Sequence, residues 1–154
     1  GGGVIGCGIA WELAKRGVLA TVVERGAVGG EASRASAGII SCRAHRIDLG
    51  RRSLDAYPGW VAEVEERTGI GVEYRRPGEW SIATDAEHAV VEERRAAFQR
   101  SLGYAVEAVD PDEARRREPA LPEALVAAWF APGVGSLSVH RLTRALAAAA
   151  TDLG

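Results

Sequence analysis

Only two cysteines, Cys7 and Cys42, occur in 154 residues, and they share no CxxC spacing. Neither a zinc site nor a disulfide framework is indicated, and this usage fits a reducing cytoplasm. Methionine is absent, so residue 1 is not an initiator. A glycine turn stands at the very start, where a buried strand ordinarily comes first, so the chain reads as a fragment of a longer protein. No apolar run approaches the roughly 20 residues of a membrane span, and no signal-peptide pattern is visible. Lysine is almost missing: every basic residue except Lys15 is an arginine, and 19 basic residues face 21 acidic ones for a net charge of −2. The arginines are scattered among glutamates, which excludes the basic field of a nucleic-acid binder or of a partner for anionic membranes. His45, His88 and His140 match no metal-ligand spacing. No metal is expected.

Glycine is abundant, and its placement at the N-terminus is informative. In GGGVIG the glycines at positions 1, 3 and 6 satisfy G-x-G-x-x-G. Gly1 is expected to turn the chain sharply, Gly3 to let backbone reach a pyrophosphate, and Gly6 to keep the following helix close to its strand. The helix N-terminus then presents N–H groups and a positive dipole end to the anion. Ile5, Ile9 and Leu13 recur at i, i+4 and i+8 and predict one apolar face for that helix, with the small Gly8 and Ala10 where it would press on a sheet. Gly17 ends it. Val18–Val23 predicts a strand buried on both faces of a parallel sheet, with Glu24 at its end. A carboxylate about twenty residues beyond the turn can accept hydrogen bonds from adenosine ribose hydroxyls. It repels a 2′-phosphate, so NADP is disfavoured, while FAD and NAD remain equally allowed by these residues.

Residues 26 to 42 are small and glycine-rich, which suits close approach of backbone to a ligand. A helix is predicted over Asp48 to Thr68, interrupted at Pro58. The segment Gly71 to Thr84 alternates Val72, Tyr74 and then Trp80, Ile82 about Pro77-Gly78, the pattern of an antiparallel hairpin. Asp85 is expected to cap a helix reaching about Leu102, and Asp110-Pro111-Asp112-Glu113 to open a short one. Val106 with Val109, and Leu125 to Phe130, read as further strands. An alanine-rich helix runs from Leu142 to Leu153, with Gly154 as a C-cap.

The segments GGGVIGCGIAWELAKRG, TVVERG and GGEASRASAGII together resemble the opening of a family of FAD-dependent oxidoreductases. That family holds glycine oxidases, D-amino-acid oxidases and monomeric sarcosine oxidases. The small-residue ASxxxAG element separates it from generic NAD dehydrogenases, and YRRPGEW, REPAL and LTRALAAAA extend the likeness over most of the chain. The resemblance implies an α/β fold, with a Rossmann-like FAD-binding domain interleaved with an α+β substrate domain containing an antiparallel sheet, both incomplete here. The expected organisation is an FAD-binding segment with connecting helix over 1–69, a substrate-domain segment over 70–134 and a return to the FAD domain over 135–154.

Carried over by position, the resemblance implies that Gly1, Gly3, Val4, Ile5 and Gly6 line the pyrophosphate turn, and that Glu24 with Arg25 meets the ribose. Ala32 and Ser33 are expected near the pyrophosphate and ribityl chain, and Ala37, Gly38 and Ile39 beside the flavin. Ser138 stands where the family often has an acidic residue, and it can still cap a helix. The stretch Ile40 to His45 differs among members and is expected to bear on substrate preference. His45 and Cys42 lie close to the expected flavin loop, and Trp80 falls in the expected substrate domain.

The implied reaction is oxidation of a small amine or amino acid by hydride transfer to flavin, with oxygen as acceptor. The alternatives are an NAD-dependent dehydrogenase, a flavin dehydrogenase passing electrons to another acceptor, and a binding module without catalysis. The family's carboxylate-holding arginine is expected beyond residue 154, so none of the residues present is named as catalytic.

Overall fold

The computed structural model describes residues 1–41 and 47–154. Cys42 and His45, with the expectations attached to them, lie outside the described residues. In chain order the elements are α1 (Val4–Ala14), α2 (Ala32–Ala35), β1 (Ile39–Ile40), α3 (Ile47–Thr68), β2 (Glu79–Ala83), α4 (Ala86–Ser101), β3 (Glu107–Val109), α5 (Pro111–Arg117), β4 (Ala127–Ala131), β5 (Gly135–Ser136) and α6 (Val139–Leu153). They form two compact units, Gly1–Arg75 with Ser136–Gly154, and Arg76–Gly135.

The first unit is built on α6. Leu142, Ala145, Leu146 and Ala149 fall at i, i+3, i+4 and i+7, and all four are buried against Cys7 and Trp11 of α1 and Val61 and Val64 of α3. Alanines in that stripe let the helices approach closely. Ser138 Oγ accepts from the N–H of Arg141 and caps α6.

Four expectations for this unit are corrected. The buried side of α1 is Cys7, Ala10 and Trp11, while Ile5 and Ile9 are 73% and 57% exposed. The helix is apolar on most sides, so periodicity could not select the side that α6 and α3 cover. Gly8 faces the ring of Trp60, 3.6 Å from an added β-carbon, rather than a sheet. Val18–Val23 is in no strand, and Leu19 and Val23 are exposed, because none of the described segments pairs with it. A strand is defined by its neighbours, and β-branched residues alone do not make one. Finally, α3 runs unbroken through Pro58. The proline deprives the Leu54 carbonyl of its helical donor, but Val61 and Val64 beyond it are anchored in the core, and tertiary packing outweighs the one lost bond.

The second unit is a three-stranded antiparallel sheet in the order β2-β4-β3. Trp80 lies opposite Phe130 and Ile82 opposite Ala128. That face packs on Ala114 of α5 and on Leu121 and Leu125, while Ala83 and Trp129 on the other face meet Ala96 of α4. The Trp129 indole N–H donates to Glu93 Oε2 at 2.7 Å. The ring of Trp80 is taken up by Phe130, 4.8 Å away between centroids, and by the Arg117 guanidinium at 4.9 Å. Asp85 caps α4 by accepting from the His88 N–H, and Asp110 caps α5 by accepting from the N–H groups of Asp112 and Glu113.

The expected hairpin over Gly71 to Thr84 is also corrected. Its first half belongs to the first unit, where Arg75 bridges to Ser136 and Val72 O accepts from the Ser138 N–H. Its second half, β2, pairs with β4 instead. The alternation signalled two extended segments correctly, but partner choice depends on chain far along the sequence, Ser136 for Arg75 and Phe130 for Trp80.

Candidate nucleotide-binding turn

Gly1 to Gly6 fold into a turn so tight that a β-carbon on Gly6 would lie 2.0 Å from Gly1 O. Glycine is required there by the turn itself, whereas helix-to-strand packing was the expected reason. Gly3 is the N-cap of α1 and, lacking a side chain, cannot satisfy the helix's first amides. Ser33, thirty positions away on α2, does so in part: its Oγ accepts from the Val4 N–H at 2.9 Å. The amides of Ile5 and Gly6, with no intrahelical acceptor, face outward at the positive end of the helix.

Glu24 is turned onto the same structure. Its Oε2 accepts from the Gly2 N–H at 2.7 Å and its Oε1 from the Gly26 N–H at 2.9 Å. These two bonds, Gly26's first, hold the carboxyl below the ordinary value of 4.5. A carboxylate with two such donors keeps further acceptor positions for ribose hydroxyls. Arg25 is exposed and pairs with Glu31 at 3.4 Å.

Gly38 is buried at φ 74°, and its carbonyl accepts from the Leu137 N–H at 3.0 Å. A β-carbon there would lie 1.9 Å from Leu137 O, so residues 37 to 39 pass α6's lead-in segment backbone against backbone. Val4, Ile5, Ala32, Ser33, Gly38 and Ile39 all border one groove of about 370 Å³. Glu24 borders a separate cavity of about 430 Å³ beside Cys7 and Val22, and Ala37 a third, of about 280 Å³, with Glu73 and Arg75. A further depression, of about 540 Å³ between α1 and α3, is lined largely by Ile5, Ile9, Leu13, Tyr57 and Trp60. It is largely apolar and, although Val4 and Ile5 reach it, none of Gly1, Gly2, Gly3 and Gly6 borders it.

Sequence reasoning missed Gly2, Gly29 and Tyr57. Gly2 is buried, and its carbonyl accepts from the Gly29 N–H at 2.8 Å. The doubled glycines in GGG and VGG were the available signal. Tyr57 borders the 370 Å³ groove and stacks on Tyr74 at 6.3 Å, and burial pushes its hydroxyl pKa up. A tyrosine on a helix carries no signal that would distinguish it from packing. Among the described residues no acidic, histidine or cysteine cluster is placed to hold a metal, and no helix is long and apolar enough to cross a membrane.

A pyrophosphate needs bare backbone and unpaired amides, and the turn supplies both. The family described as FAD dependent oxidoreductase matches residues 1–154. A glycine oxidase of Geobacillus kaustophilus is 37% identical, aligned over all of this chain and 43% of its own length. The crystal structure of a glycine oxidase from Bacillus cereus superposes with a TM-score of 0.95 at 31% identity, covering 100% of this chain and 43% of that one. An L-proline dehydrogenase from P. horikoshii gives 0.80 at 26% identity, over 100% of this chain and 41% of its own. The chain thus spans less than half the length of these relatives.

Proposed function

The chain belongs to the family of FAD-dependent oxidoreductases, and from that premise we propose that the full-length protein oxidises a small amine or amino acid, of the glycine, sarcosine or D-amino-acid type, using oxygen as acceptor. The observation that carries this reading is the bare-backbone turn at the start of α1, opening beside a groove bordered by Ser33, Gly38 and Ile39. In this reading the Ile5 and Gly6 amides hold the pyrophosphate, assisted by Ala32 and Ser33, and Gly1 and Gly3 let it approach. Glu24, with Arg25 beside it, receives the ribose. Ala37, Gly38 and Ile39 offer backbone to the flavin. Bound FAD supplies the electron-accepting ring, and the protein's part is to orient the substrate carbon over it and exclude water. The unit formed by Gly1–Arg75 and Ser136–Gly154 is the FAD-binding segment, and Arg76–Gly135 belongs to the substrate domain. The buried thiol of Cys7, in no disulfide among the described residues, suits a reducing cytoplasm.

The test is oxygen uptake and peroxide release by the full-length protein with glycine, sarcosine and several D-amino acids. Flavin absorbance with peroxide formation on one of them is the expected result. The likeness to L-proline dehydrogenase favours a second reading, in which electrons pass to another acceptor. Flavin reduction by substrate without peroxide supports that one. Absence of any flavin reduction across the panel sinks both.

A further inference from the structure

The residue between the first two fingerprint glycines is gripped from both sides. Gly2 donates its N–H to Glu24 Oε2 at 2.7 Å, and its carbonyl accepts from the Gly29 N–H at 2.8 Å. Those two bonds fix the peptide planes on either side of Gly2, and through them the amides that follow. The Gly29 grip has a wall behind it. Gly29 is buried at φ 70°, and a β-carbon there would lie 3.0 Å from Thr143 Cγ2 and 3.3 Å from Thr143 Cβ. Thr143 is fully buried on α6, and its hydroxyl donates to Val139 O at 2.7 Å, which directs the methyl group away from that bond. Its neighbours Leu142, Ala145 and Leu146 anchor α6 in the core, so the wall does not yield easily.

We propose that Gly29 and Thr143 are positioning residues for the cofactor's pyrophosphate: Thr143 sets the height of the loop over residues 26–30, and Gly29 in that loop holds the Gly2 carbonyl and aligns the glycine turn. The proposal rests on the cofactor reading given above. Neither residue touches the anion. Both act through Gly2, so their effect is on how well the turn is arranged before ligand arrives.

The experiment is FAD titration of full-length apoprotein, followed by flavin fluorescence quenching, together with thermal melting of each apoprotein. The variants are Gly29→Ala, Gly29→Ala with Thr143→Ser, and Gly69→Ala. Gly69 ends α3 at φ 67° with nothing within 4 Å of an added β-carbon, so its variant carries the same backbone strain far from the turn's bonds. Gly29→Ala is expected to raise the FAD dissociation constant by about tenfold or more, from strain and overlap together. Thr143→Ser removes the methyl group and keeps the hydroxyl, so the double variant is expected to recover several-fold of that loss. Gly69→Ala is expected to melt lower than wild type while binding FAD as wild type does. Wild-type affinity in Gly29→Ala overturns the grip and leaves the cofactor reading standing. Failure of Thr143→Ser to restore any affinity overturns the role of Thr143. If wild-type apoprotein takes up no FAD, the cofactor reading itself falls, and the proposal with it.

Discussion

At Gly3 an added β-carbon would lie 3.0 Å from Ser33 Oγ, the same atom that accepts the Val4 N–H. Gly3→Val therefore pushes α2 from the turn and places a branched side chain where an anion must approach. It is expected to purify without flavin. Glu24→Ala removes acceptors but no backbone surface, so its FAD titration is expected to show a weaker complex, by roughly tenfold, that still forms. A valine variant with full flavin content would remove GGGVIG from the site. The same carboxylate gives a pH signature. Because the folded pKa of Glu24 lies below 4.5, its contribution is complete above that value and is lost as pH falls through the lowered one. Denaturant unfolding on both sides of pH 4.5 is expected to show wild type losing stability toward acid more steeply than Glu24→Gln. Equal slopes would mean that the bonds to Gly2 and Gly26 are not maintained in solution.

Helix α5 has only seven residues, too few to be stable outside its context. It is held by Ala114, fully buried against the β-sheet of its unit, and by Asp110, whose carboxylate satisfies two of its first amides at 2.9 and 3.2 Å. Asp110→Ala is expected to cost about 1 kcal/mol. Urea unfolding of the full-length protein measures it, and Asp110→Asn, which retains the acceptor, is expected to recover most of the loss. If both variants unfold at the wild-type midpoint, the cap is not what holds α5. The segment over residues 18–23 poses the opposite case. It has strand-forming residues and no partner among those described, so its apolar side chains face outward.

In the whole molecule these exposed side chains become a surface. Ile5, Leu19 and Val23 are all more than two-thirds exposed, at 73%, 82% and 77%, and the chain covers 43% of the Bacillus cereus glycine oxidase structure. Residues 1–154 expressed alone are expected to bind a hydrophobic dye and to release no peroxide from glycine, sarcosine or D-amino acids. The full-length protein, assayed alongside, is expected to do the reverse. Turnover by residues 1–154 at the full-length rate would place the essential groups within this chain.

Short-range chemistry was legible in the sequence. The glycine spacing that bends the chain into α1, the caps Asp85, Asp110 and Ser138, and the alanine stripe of α6 all follow from residues within two turns of one another. Such features are decided locally, by dihedral freedom and by which side chain reaches a nearby amide. Tertiary structure alone decided which side of α1 is buried, which partners Arg75 and Trp80 take, and that α3 continues through Pro58. It also decided that Gly2 is held by Glu24 and Gly29, and that Ser33 reaches the Val4 amide. Those outcomes depend on contacts between residues tens of positions apart. Spacing along a chain says which groups are available for such contacts, and packing determines which of them meet.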